Sequence, residues 1–346
     1  MTEVTTAPAD EPELDDDVEG RPAPFWQRLV AGSSTWIGLI LLALIVVFSL
    51  LEYDSFVSTA NARNIATDAA VLLVLATGMT YVIITAGIDL SVGGVLVFSG
   101  VVSAKAMHAA GGDNWGVIFV GLAVALAGGL AWGLLNGFLV AKAKIPAFIV
   151  TLGTLGMSLG AALVISGGVD EREVPFKLIT TIGTGRAFEQ VPYLVIIAFA
   201  VAIVFGVILA ATRFGRYTYA VGSNEEAARR AGIPVDRHLL KIYGLAGALA
   251  GLAGFLSLAR FSTTTLGGHD TDNLQAIAAV VIGGTSLFGG IGTMLGTLFG
   301  VFIPAVLQNG FVIIGVNPFW QSIAVGAVLI AAVYLDQLRR RSQYQR

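Results

Sequence analysis

Apolar residues run along this chain in ten blocks separated by short polar breaks. The blocks are 33–51, 64–86, 92–110, 115–140, 146–166, 191–212, 238–260, 272–282, 293–314 and 318–334. A helix needs about 20 apolar residues to cross the hydrocarbon of a bilayer. Most blocks come near that length; the one at 272–282 is short. The pattern predicts an all-α polytopic membrane protein with about ten transmembrane helices. The longest polar interval between two blocks is 213–241, RFGRYTYAVGSNEEAARRAGIPVDRHLLK. A short helix is expected inside it, about Asn224 to Ala231. Ser223 is the expected N-cap, and Glu226 three residues on would close a capping box. Gly232 suits the C-terminal cap, and Pro234 stops continuation. So short a helix is not stable free in water, where ~12–15 residues are marginal. It is expected to dock against something.

Composition sharpens this picture. The 346 residues are 55% hydrophobic and 12% charged, about half the charge of a soluble domain. The 43 glycines suit close helix packing in lipid. There are no cysteines, which removes disulfides and thiolate sites from consideration. Residues 1–30 read as a disordered acidic cytosolic tail, since they lack the basic-then-apolar order of a signal peptide. The transmembrane domain is expected over 31–338, and 339–346 forms a basic tail.

Charge sidedness sets the expected orientation. With ten spans and the N-terminus inside, 14 Lys and Arg fall on the cytosolic side and 6 outside. Both termini, and the 213–241 loop, are then cytosolic. An internal repeat is also visible. Asn136-Gly137-Phe138 is matched by Asn309-Gly310-Phe311, and Asn64-Ile65 by Asn273-Leu274. Gly87-Ile88-Asp89-Leu90 is echoed by Gly284-Thr285-Ser286-Leu287. Spans 2–5 thus resemble spans 7–10, and an odd offset of five spans makes the repeat inverted, a transporter architecture.

Catalytic chemistry is not evident. His108, His238 and His269 are scattered, and no phosphate loop is present. Asp89, among Gly87, Gly93 and Gly94, has two readings. It can cap span 3 together with Ser91, or line a path through a broken helix. Asn136, Thr151, Thr154, Gln308 and Asn309 are uncharged donors and acceptors within spans. They suit a sugar's hydroxyls, or serve as glue between helices.

Four stretches, in order, resemble the ABC-importer permeases for ribose, xylose and related monosaccharides. They are GMTYVIITAGIDLSVGGVLVFSG (78–100), LLNGFLVAKAKIPAFIVTLGT (134–154), TRFGRYTYAVGSNEEAARRAGI (212–233) and AAVVIGGTSLFGGIGTMLGT (278–297). The resemblance implies a sugar-transporting permease in the bacterial plasma (inner) membrane, paired with a second permease subunit as a homodimer. Cytosolic ATPase subunits would bind ATP and Mg, so no cofactor is expected in this chain. An extracytoplasmic sugar-binding protein would dock outside; membrane lipids surround the chain, and no nucleic acid is involved. On the family's pattern the short helix is a coupling helix. Asn224, Glu225, Glu226, Ala228, Arg229, Gly232 and Ile233 become candidates for the ATPase contact. The translocation-path candidates are Asp89, Ser91, Asn136, Thr151, Thr154, Gln308 and Asn309. The alternatives are a branched-chain amino-acid permease and a self-sufficient secondary carrier.

Overall fold

The computed structural model describes residues 33–269 and 271–317, with positions 320, 323, 326, 327 and 334 beyond. Both expected tails and most of the tenth apolar block lie outside the described residues.

The chain opens with α1 (Ser33–Leu51) and a single turn, α2 (Tyr53–Phe56). Four long helices follow: α3 (Thr59–Ile84), α4 (Val92–Ala110), α5 (Trp115–Ala141) and α6 (Ala147–Ser166). A connecting segment holds α7 (Phe176–Leu178), a π turn at Ile179–Gly183 and a hairpin of β1 (Arg186–Ala187) with β2 (Val191–Pro192). The hairpin is antiparallel, pairing Arg186 with Pro192 and Ala187 with Val191. Then come α8 (Tyr193–Ala211), α9 (Arg213–Ser223), α10 (Glu225–Arg230), α11 (Val235–Phe261), α12 (Asp272–Ile282) and α13 (Met294–Ile313).

Among the described residues, seven helices are long and apolar enough to cross a membrane: α3, α4, α5, α6, α8, α11 and α13. The apolar stretch Thr35–Leu51 of α1 and all of α12 are shorter. This is a mostly helical, multi-pass membrane protein. The small hairpin departs from an all-α reading, because two residues per strand leave no alternating pattern to detect.

α3 and α11 are the central helices, apolar on every side and buried over most of their length. A helix that is hydrophobic all round belongs inside such a bundle. Small residues let α11 cross α5 at backbone contact. A Cβ on Gly129 would lie 2.2 Å from the Gly247 carbonyl oxygen, and one on Gly133 2.2 Å from that of Tyr243. Two helix boundaries shift from the expected positions. α3 starts at Thr59 because the Ser58 hydroxyl accepts the Asn61 amide at 3.1 Å and caps it. α11 starts at Val235, since the charged first turn, Asp236 and Arg237, is helical although it is not apolar.

The repeat has a more complex geometry than the motifs implied. α5 carries Asn136 near the end that meets α10, whereas Asn309 of α13 sits at the opposite end, so this pair is inverted. Asn64 and Asp272, beside Asn273, line one cavity, and Gly290 N–H donates to Ile84 O at 2.8 Å. α3 and α12 therefore run the same way, each ending in a glycine-rich break, and the two breaks touch. Asn64 and Asn273 lie six blocks apart, an even number, so this pair does not follow the inverted repeat expected for spans 2–5 and 7–10.

Candidate functional site

Two regions concentrate polar groups at opposite ends of α11, whose 27 residues span about 40 Å. The first surrounds the breaks and the 213–241 segment. That segment is not a loop: α9 and α10 fill it. Asn224, not Ser223, is the N-cap of α10. Its backbone is extended (φ −162°), and Oδ1 accepts the Ala227 amide at 2.8 Å. Ser223 still belongs to α9, so its helical backbone cannot cap the next helix. Glu226 makes no capping box and pairs with Arg230 instead. Gly232 takes φ +83° and closes the end as expected. The Gly232 amide bonds Arg229 O at 3.0 Å, and the Ile233 amide bonds Ala228 O at 3.0 Å.

The docking expected of α10 is made within this chain. Ala228, 4% exposed, packs with Ala141, Val221, Val235 and Leu239, and Ile233 lies against them. Ala228 is thus a buried anchor for α10, and Ile233 is half-buried beside it. Asn224, Glu225, Glu226, Arg229 and Gly232 remain exposed. α9 in turn lies directly under both breaks. A Cβ on Gly222 would sit 1.7 Å from Ile84 O and 2.7 Å from Gly290 N. Tyr219 donates to Gly292 O at 2.7 Å, and Thr218 Oγ1 meets His238 Nε2 at 3.0 Å.

The α3–α4 break holds five of the seven path candidates. Asp89 is 1% exposed. Its Oδ1 accepts the Ser91 amide at 2.9 Å and the Ser91 hydroxyl at 2.6 Å. That is a side-chain turn two residues long, and Ser91 itself caps α4 without a side-chain bond. Asn136 Nδ2 donates to Ser91 Oγ at 2.8 Å, and Thr154 donates to Asn136 Oδ1 at 2.7 Å. Thr151 donates to Ile88 O at 3.2 Å and to Ala147 O at 2.9 Å. From the other side, Asn273 Nδ2 reaches Leu90 O at 3.0 Å. These groups bond mainly to one another, which is how polar groups survive deep in a low-dielectric interior.

Gln308 and Asn309 lie elsewhere, on a cavity of about 790 Å³ at the far end of α11. Its walls come from the start of α3, the ends of α11 and α13, α12 and the base of the β hairpin. Arg260 pairs with Asp68 and donates to Thr67 O at 2.7 Å. His269 Nδ1 faces Asp272 Oδ2 at 2.7 Å, and its Nε2 faces Ser257 Oγ at 2.8 Å. Asn309 Nδ2 donates to Asn61 Oδ1 at 2.8 Å, while Asn309 Oδ1 has no hydrogen-bond partner. The sequence reading missed the Asp68–Arg260 pair and the Ser257–His269–Asp272 cluster. The first joins residues 192 apart; the i, i+3 spacing of His269 and Asp272 was the one local signal for the second.

The chain matches, over residues 61–333, the family described as the permease component of branched-chain amino acid transport systems. The ribose import permease protein of Bacillus subtilis is 38% identical over 87% of this chain and 91% of its own length. The fructose import permease protein of Rhizobium meliloti is 34% identical, covering 91% of this chain and 88% of its own. The galactose/methyl galactoside import permease protein of Escherichia coli is also 34% identical, over 91% of this chain and 96% of its own. No solved structure matches. A family match across most of the chain, and relatives above 30% identity over nearly its whole length, show that the chain belongs to this family of transport-system permease components.

Proposed function

We propose that this chain is the membrane permease subunit of an ATP-driven importer for a monosaccharide, such as ribose, xylose or a related sugar. The relatives' names and the far cavity support that reading. The observation that carries it is the cavity's lining. Its volume falls within the ~300–1,000 Å³ of small-molecule sites. Asn64, Thr67, Gln275, Gln308 and Asn309 give it uncharged donors and acceptors, beside the Asp68–Arg260 and Asp272–His269 pairs and the side chains of Arg63 and Arg186. A sugar needs many such hydrogen-bonding partners.

In this reading the chain spans the bacterial inner membrane ten times with both termini in the cytosol. The cavity faces outward and receives sugar from an extracytoplasmic binding protein. A second permease subunit, a copy of this chain, completes the path. ATP and Mg are bound by cytosolic ATPase subunits that seat on the exposed face of α10. Their closure moves α10 and, through α9, the two touching breaks beneath the membrane core. Two arrangements of those breaks would give inward- and outward-open states, and ATP shifts the population between them. α5 and α13, which share the Asn-Gly-Phe motif, run antiparallel, as two halves of an inverted-repeat transporter would.

The test is ATPase activity in lipid nanodiscs, with this chain, its partner ATPase and binding protein, and a panel of monosaccharides. Stimulation by one sugar-loaded binding protein is expected. Stimulation by leucine or valine instead would favour an amino-acid permease. Uptake by this chain alone, driven by a proton or sodium gradient, would overturn the reading.

A further inference from the structure

The face that carries α10 contains an ionic cluster built around Asp236, a residue the path and docking candidates do not include. Three cations from two other segments converge on its carboxylate. Arg229 Nη2, from α10, lies 2.6 Å from Oδ1. Lys144 Nζ lies 3.1 Å from the same oxygen, and Lys142 Nζ 3.4 Å from Oδ2. Both lysines belong to the turn between α5 and α6. Asp236 sits in the first turn of α11 and is only 22% exposed, whereas each cation is more open. Glu225 closes the cluster, 2.8 Å from Arg229 and 3.9 Å from Lys144. Lys144 holds a left-handed backbone, φ +57°. That conformation is uncommon for a residue with a side chain, and here it accompanies an ammonium placed on Asp236.

Exposed ion pairs contribute little to stability, so fold stability is a poor reason for this arrangement. Its geometry suggests another. Asp236 joins the one short helix on the open face to the α5–α6 turn. That turn connects α5, whose Asn136 donates to Ser91 at the α3–α4 break, to α6, whose Thr154 donates to Asn136. A partner seated over α10 would also exclude water from the cluster and strengthen each pair.

We propose that Asp236 is a positioning residue for energy coupling: it ties α10 to the α5–α6 turn, so that displacement of α10 is delivered to the α3–α4 break. This rests on the importer reading above and names the membrane element that receives the stroke. Loss of the Asp236 charge would leave α10 anchored through Ala228 but free to move without carrying the turn.

The experiment compares wild type with Asp236→Asn and Asp236→Glu in the reconstituted complex. Three quantities are read: ATPase subunit retained on purification, basal ATP hydrolysis, and sugar taken up per ATP hydrolysed. For Asp236→Asn, retention and basal hydrolysis near wild type are expected, with uptake per ATP reduced about fivefold or more. Asp236→Glu should recover most of that loss. A ratio unchanged in Asp236→Asn, or lost equally with subunit retention, overturns the proposal. If Asp236→Asn does not assemble, Lys142→Gln with Lys144→Gln carries the test. That pair removes both turn cations and leaves the Asp236–Arg229 contact; an unchanged ratio there overturns the proposal as well. A wild-type complex without sugar-stimulated ATPase would instead refute the importer reading, which keeps the two failures apart.

Discussion

Asn136 makes two side-chain hydrogen bonds in the protein interior, donating to Ser91 and accepting from Thr154. Asn136→Leu removes both bonds, while Ser91 still donates to Asp89 and Thr154 to Val150 O, so the loss is about 0.5–1.5 kcal/mol for each bond. A lower melting temperature in detergent is expected, whereas Gln308→Ala, on the open cavity wall, should leave melting unchanged. Asn224 offers a second residue-scale test. Asn224→Ala removes the bond to the Ala227 amide, and N-cap losses cost about 1 kcal/mol. Faster hydrogen exchange at Ala227 and Ala228, by roughly fivefold, is expected, with the rates in α9 unaltered.

At the scale of elements, the α5–α11 crossing is tightly constrained. Cβ atoms built on Gly129, Gly133 or Gly247 would fall 2.2–2.3 Å from a facing carbonyl oxygen. Gly247→Val therefore forces the two helices apart. Loss of folded protein on gel filtration is expected, while Gly156→Val, with nothing within 4 Å, should fold. Helix positions were largely legible in the sequence. Runs of apolar residues, the short block at 272–282 and the Gly232 stop all act through neighbours a few residues apart. The N-cap was misplaced by one residue because Ser223 and Asn224 are both good caps. What decided between them was α9, which packs under the breaks and keeps Ser223 helical.

At the scale of the whole molecule, sidedness can be tested directly. The chain has no cysteine, so single-cysteine variants report without background. Cysteine at Phe188, 95% exposed at the hairpin tip, is expected to react with a membrane-impermeant maleimide on intact cells. Cysteine at Glu226, on the open face of α10, should react only after permeabilisation. The reverse pattern would invert the proposed orientation.

The sequence by itself determined that this chain is a helical membrane protein, where most of its spans run, and which short segment stands out from them. Hydropathy, capping and charge sidedness are written locally, and water and lipid read them residue by residue. Only the tertiary structure decided which polar groups meet. Asn136 and Ser91 lie 45 residues apart, and Arg260 and Asp68 192 apart. In the membrane core polarity does not say which helix a group will face, since lipid gives no preference among apolar surfaces. The same reason separates the path candidates into a buried network and a cavity wall. The direction of the recurring motifs follows instead from the offset in helices between their copies, odd for Asn136 and Asn309 and even for Asn64 and Asn273.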